Sequence, residues 1–182
     1  RLFNFQMRNG ELYPTHQLGP ISKVLGINRG NRYIALSSFA TKSRGLNLWM
    51  KENKGEDYDI ADYPFNQGDI VTTVIKCADG QTVVLTHDCS LPRNYSRGYR
   101  IQGTKGLYME DGDSLFLEGV TSHDHSDWTH PAEEFEKYRE KFEHPLWKKY
   151  SEDGIREGGH GGMDYLVFSA FVESVKVGEK PP

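Results

Sequence analysis

Residues 69–89 constrain this chain more than any other stretch. Asp69 to Cys77 and Gln81 to Cys89 are two runs rich in β-branched residues on either side of Asp79-Gly80. A two-residue Asp-Gly turn between such runs predicts a β-hairpin. That register sets Cys77 opposite Thr82 and Cys89 opposite Ile70, at opposite ends of the hairpin. A disulfide needs Cα atoms within about 7 Å, so the expectation is two free thiols.

The rest of the chain falls into place around the hairpin. Residues 1–12 read as irregular or as a strand remnant. A short helix is expected from Pro20, because proline suits a first helical position, with Gly26 or Gly30 ending it. Tyr33 to Ala40 suits a strand. Residues 42–66 show no period and read as a long surface loop. Runs at 99–102 and 107–110 flank Gly103-Thr104-Lys105-Gly106 as a second hairpin, and Asp111-Gly112-Asp113 turns into a last strand at Ser114–Glu118. Ala132 to Phe142 is charged and helical, Leu146 to Tyr150 suits another turn of helix, and Met163 to Val175 is the clearest helix, with Tyr165, Phe168, Val172 and Val175 on one face. Strands in meander order followed by helices predict an α+β fold: an open, predominantly antiparallel sheet with helices packed on one face.

Composition narrows the function classes. At 182 residues the chain can bury a real core, and a single domain is expected. The net charge is −4, with both signs interspersed, so there is no basic stripe for nucleic acid. No apolar run approaches the roughly 20 residues that span a bilayer. The chain opens at Arg1 with neither an initiator Met nor a signal peptide, which reads as a processed or truncated fragment.

Three segments could carry chemistry. In Tyr13-Pro14-Thr15-His16, histidine has an ordinary pKa near neutrality and suits proton transfer. A helix starting at Pro20 would leave His16 in a connecting segment, where its ring could face a cleft. On these residues alone a packed Tyr with a surface or core His is the favoured reading. Ser90 to Arg97 places Arg93, Tyr95 and Arg97 on a loop leaving rigid strands, a common address for binding groups; a polar surface loop is the plainer alternative. Gly158 to Asp164 is Gly-rich at a helix start, but Asp164 stands where a dinucleotide fingerprint needs its third Gly, and no strand clearly precedes it. His123, Asp124, His125, Asp127 and His130 lack the spacing of a zinc site, so a solvated loop is preferred and no metal is expected. There is no Gly-x-Ser-x-Gly to support a nucleophile elbow.

Taken in order, several blocks resemble the C-terminal half of the NAD-dependent α-N-acetylgalactosaminidases, a glycoside hydrolase family within the Gfo/Idh/MocA oxidoreductase superfamily. The resemblance runs through Tyr13 to Pro20, Asn28 to Gly30, Asn66 to Asp69, Thr86 to Asp88, Ser90 to Arg97, Gln102 to Gly106, His144 to Trp147 and Gly159 to Tyr165. Residues 120–143 match least. The resemblance implies that a dinucleotide-binding domain, absent from this chain, holds NAD, and that the present domain carries the sugar site. It matches Tyr13 and His16 to active-site residues, Tyr95 to a substrate-site Tyr and Arg1 to a substrate-contacting Arg. Arg93 and His160, inside matching blocks, join the substrate-binding set. Gln17 departs from the pattern, where Gly is more often expected.

NAD-dependent glycosidases are an exception to the two-carboxylate scheme. The resemblance implies transient oxidation at sugar C3, loss of the C2 proton, expulsion of the C1 leaving group, water addition at C1 and reduction of C3. His16 is then the expected base, Tyr13 its partner, and the substrate a glycan with terminal α-linked N-acetylgalactosamine. The chain alone is expected to be inactive. Sheet faces often pair subunits in this superfamily, which makes a homodimer through the sheet face a further expectation. Two readings compete: the C-terminal domain of a sugar dehydrogenase that stops after hydride transfer, and a non-catalytic sugar-binding or dimerisation module.

Overall fold

Strand β2 (Ile70–Cys77) is the centre of the first half of the molecule. It pairs antiparallel with β1 (Tyr33–Ala40) on one side and with β3 (Thr82–Asp88) on the other. The computed structural model describes residues 2–88, 90–124, 132–145, 147–148 and 159–180. The chain forms two compact units, Arg1–Tyr99 and Arg100–Pro182.

In the first unit Val71, Thr73, Ile75 and Cys77 are buried and the residues between them are more open, the alternation of a half-buried strand. Ile75, Cys77, Val83 and Leu85 form one core, covered by Leu18 and Ile21 of helix α2 (Thr15–Val24) and by Leu25 at its C-cap. The hairpin is present, but its register differs from the sequence expectation by one residue. Lys76 pairs with Thr82 and Ile70 with Asp88. The loop is three residues long: the Gly80 N–H donates to the Cys77 carbonyl, the Cys77 N–H donates to the Gln81 carbonyl, and Gly80 has φ +93°. This is a type I turn closed by a glycine bulge rather than a two-residue turn. The difference matters because a one-residue slip turns every side chain to the opposite face. The observed register is the one that sets Val83 beside Ile75 and Leu85 beside Thr73 on the buried side. Cys77 is a buried free thiol, and Cys89 lies outside the described residues.

Three further expectations are corrected. Residues 2–7 form helix α1 (Leu2–Met7) rather than irregular chain. Helix α2 begins at Thr15, five residues before Pro20, so His16 sits in a first helical turn and not in a connector. Proline inside a helix leaves the carbonyl four residues earlier without a donor. Here that carbonyl belongs to His16, and the Tyr99 hydroxyl donates to it instead. Gly26, with φ +64°, ends the helix as expected: its N–H reaches the Lys23 carbonyl while the Ile27 N–H reaches that of Ser22. The supposed loop 42–66 contains helix α3 (Gly45–Lys54). Its Met50 joins Ala61 and Phe65 in a second core, against which Phe5 of α1 also packs. No local cap announces α3. The cap is the Asp69 carboxylate, which accepts from the Arg44 and Gly45 N–H groups at 2.9–3.1 Å across 24–25 residues of sequence.

The second unit holds a second three-stranded antiparallel meander, β4 (Arg100–Gly103), β5 (Gly106–Met109) and β6 (Ser114–Leu117). The six strands thus form two sheets, in an α+β arrangement. Helix α4 (Ala132–Phe142) stacks Phe135 on Tyr108, with ring centroids 5.7 Å apart. Helix α5 (Met163–Val177) follows a short 3-10 turn at His160–Gly162. Leu166 and Ser174 are its buried positions; the stripe of Tyr165, Phe168, Val172 and Val175 is exposed. The helical turn expected at 146–150 falls largely outside the described residues. No helix among the described residues is long and apolar enough to cross a membrane.

Candidate functional site

Tyr13 and His16 are brought together by the start of α2. Pro14 stands at the cap, and its carbonyl accepts from the Gln17 and Leu18 N–H groups. A three-residue step across the first turn then sets the two side chains side by side. The Tyr13 hydroxyl and His16 Nε2 are 3.0 Å apart, and the rings lie 4.8 Å apart at a 40° tilt. Both rings face solvent. The pair can therefore hold and pass a proton where a ligand could reach it.

What fixes this pair lies behind it. The Glu11 carboxylate accepts from the Tyr13 N–H at 3.1 Å and meets His87 Nδ1 at 2.9 Å through the same oxygen. His87 stands on β3 opposite buried Val71. The side chains of His87 and Glu11 are 12% and 14% exposed, well shielded compared with the rings they support. Upstream, Asn66 to Asp69 fasten the segment that leads to Glu11. Asn66 Nδ2 donates to the Gln6 carbonyl, the Gln67 N–H to that of Phe5, and the Gly68 N–H to Asn9 Oδ1. The Gln67 side chain, 1% exposed, both donates to and accepts from the Gly10 backbone.

Tyr95 is 83% exposed on the loop after β3. Arg93 shapes that loop. Its guanidinium donates to the carbonyls of Asp88, Asn94 and Ser96 at 3.1–3.3 Å, with the Asp88 carboxylate 3.8 Å away. His160 belongs to the second unit. Its Nδ1 lies 2.9 Å from Asp164 Oδ2, and its φ of +55° is in the left-handed region. Gly161 and Gly162 continue that left-handed path, and a Cβ on Gly159 would come within 2.6 Å of the same carboxylate oxygen. Arg1, His125, Asp127 and His130 lie outside the described residues. His123 approaches Glu118 at 3.4 Å and packs edge-on against Phe116. Among the described residues no three His, Cys, Asp or Glu side chains converge on a metal position.

The described residues contain no Rossmann-type dinucleotide cradle. Every strand pair among them is antiparallel, so no βαβ unit sets a glycine-rich turn at a helix start. Sequence reasoning singled out Tyr13 and His16 but missed Glu11, His87 and Tyr99 as their supports. His87 lay in the block Thr86 to Asp88, whereas Glu11 and Tyr99 fell in none of the matching blocks.

Comparison with known proteins identifies the family. The family model for the glycosyl hydrolase 109 C-terminal domain matches residues 1–182. A glycosyl hydrolase family 109 protein of Parabacteroides distasonis is 44% identical over 169 residues, covering 93% of this chain and 35% of the relative. An α-N-acetylgalactosaminidase of Tannerella forsythia is 48% identical with the same coverage. A family 109 protein of Stenotrophomonas maltophilia is 48% identical over 170 residues, 93% of this chain and 36% of the relative. The chain thus spans about a third of the length of these curated relatives. Matched along its whole length, the chain belongs to the glycosyl hydrolase 109 family, as that family's C-terminal domain.

Proposed function

We propose that this domain carries the sugar-side proton chemistry of an NAD-dependent retaining glycosidase that removes terminal α-linked N-acetylgalactosamine. The Tyr13–His16 contact at 3.0 Å supports this reading more than any other observation. NAD, held by a domain outside this chain, would supply reversible hydride acceptance at sugar C3, which makes the neighbouring C2–H acidic. His16 accepts the C2 proton. The electron pair left at C2 expels the C1 oxygen, which leaves with a proton; water then adds its hydroxyl to C1 as C2 regains a proton, and return of the hydride and a proton to C3 would restore the alcohol. Tyr13 sets the plane of the His16 ring. Tyr95 contacts the sugar, and Arg93 holds the loop that presents Tyr95.

The test uses the full-length parent protein with an aryl α-N-acetylgalactosaminide in deuterated water. Aryl release with deuterium at C2 of the product is expected. NADH accumulating from free sugar without C2 labelling would move the assignment to a sugar dehydrogenase. Replacing His16 by Asn should lower turnover about 10²–10⁴-fold, the usual contribution of a general base; a loss of only a few-fold removes His16 from that role. The sheet offers a second proposal. Phe39, Val74 and Val84 are exposed on the face of β1–β3 opposite the core, which favours pairing of two copies there. Val84→Glu should turn a sedimenting dimer into a monomer, and an unchanged dimer would reject that face.

A further inference from the structure

We infer that Glu11 and His87 are positioning residues for the Tyr13–His16 pair. The inference rests on the proton-transfer reading above and assigns its orientation to two residues that do not touch the sugar. One oxygen of Glu11 serves two donors, the Tyr13 N–H at 3.1 Å and His87 Nδ1 at 2.9 Å. The first ties the carboxylate to the residue whose hydroxyl holds His16 Nε2. The second ties it to β3, on the buried face of the sheet beside Val71. Two short polar contacts, the covalent frame of Tyr13 and a third polar contact therefore connect strand β3 to the exposed imidazole. Without the two Glu11 contacts, Tyr13 would be located only by the helix start that follows, and its ring is open to solvent on the other side. Their geometric effect is specific: they fix the height of the Tyr13 backbone above the sheet. Misplacing a reacting group by about 1 Å can cost on the order of 100-fold in rate.

The experiment compares Glu11→Ala, Glu11→Gln and His87→Ala in the full-length parent holoenzyme. Three quantities are read: the ¹⁵N resonances of the His16 imidazole, kcat separately from KM, and the kinetic isotope effect for C2-deuterated substrate. The isotope effect does not depend on how much of the protein is folded, so a variant that is merely less stable leaves it unchanged. Glu11→Ala should move the His16 resonances, lower kcat about 10- to 100-fold with KM within about threefold, and raise the C2 isotope effect. Glu11→Gln retains an oxygen acceptor for the Tyr13 N–H and should recover most of kcat. His87→Ala should act in the same direction as Glu11→Ala. Unmoved His16 resonances and an unchanged isotope effect in Glu11→Ala overturn the inference, whatever happens to total activity. If the parent itself shows no C2 exchange, the glycosidase reading fails, and the His16 resonances still decide the positioning claim.

Discussion

Replacing Asp69 by Ala should cost the first unit about 3 kcal/mol. The carboxylate is 6% exposed and accepts from three groups: the Arg44 N–H at 2.9 Å, the buried Gly45 N–H at 3.0 Å and the Ser90 hydroxyl at 3.0 Å. A hydrogen bond to a charged acceptor contributes about 1.5–3 kcal/mol, and loss of a helix cap about 0.5–2 kcal/mol. Water can re-satisfy the half-buried Ser90 and the Arg44 backbone, so the Gly45 N–H dominates the loss. A total near 3 kcal/mol corresponds to roughly a 150-fold shift in the folding equilibrium. Asp69→Asn keeps the volume and one acceptor oxygen but aims an amide at the donors, so about half that loss is expected. Urea melts followed by far-UV circular dichroism and by tryptophan emission measure it directly, because Trp49 lies on the capped helix α3. A loss below about 1 kcal/mol for Asp69→Ala would refute the idea that this carboxylate substitutes for a local cap.

Other consequences are open to equally direct measurement. Gly80→Ala should cost about 1 kcal/mol in thermal or urea melts, because φ is +93° there, while Asp79→Ala should stay within about 0.5 kcal/mol; equal losses would restore the two-residue turn. Gly68→Ala and Gly45→Ala should each destabilise strongly, since a Cβ would overlap the Thr41 and Ser90 carbonyl oxygens respectively; a neutral melt for either would contradict the packing. Arg93→Ala should raise the parent's KM about three- to tenfold through the Tyr95 loop, with faster amide exchange at 94–98; unchanged exchange would separate Arg93 from the loop. Burial, helped by the nearby Asp113 and Glu110 carboxylates, holds the Tyr108 phenol above its ordinary value of 10.0. The unfolded chain therefore releases this proton first, and stability falls as pH rises through 10 toward the folded value. Tyr108→Phe should flatten that part of the stability–pH curve, and an unaltered slope would assign it to other groups.

The strands were legible because their signals are local. Tyr33 to Ala40 and the 69–89 hairpin alternate or branch within a few residues, and the expected strands all form. What escaped sequence reading depended on partners far along the chain. Helix α3 begins where a carboxylate 24 residues away receives its first N–H groups. Helix α2 tolerates Pro20 because Tyr99, 83 residues from His16, takes over the interrupted bond. The hairpin register was set by which valines reach the core, information that a turn dipeptide does not carry. At the site, Tyr13 and His16 were visible because tyrosine and histidine are reactive types. Glu11 and His87 were not, because their importance lies in contact with each other across 76 residues of chain, derived from their positions.

The latch between Gln67 and Gly10 also sets an order of events in time. It closes a loop of 57 residues, and Asn66 closes one of 60 onto Gln6. Rings of that size form late, since the chain's wandering must be overcome before any contact rewards it, whereas the tight β2–β3 hairpin closes over three residues. On refolding, the β2–β3 hairpin can be complete while the strap at residues 6–10 still swings free. The closing of that strap, and with it the seating of the segment that leads to Glu11, is then the late event.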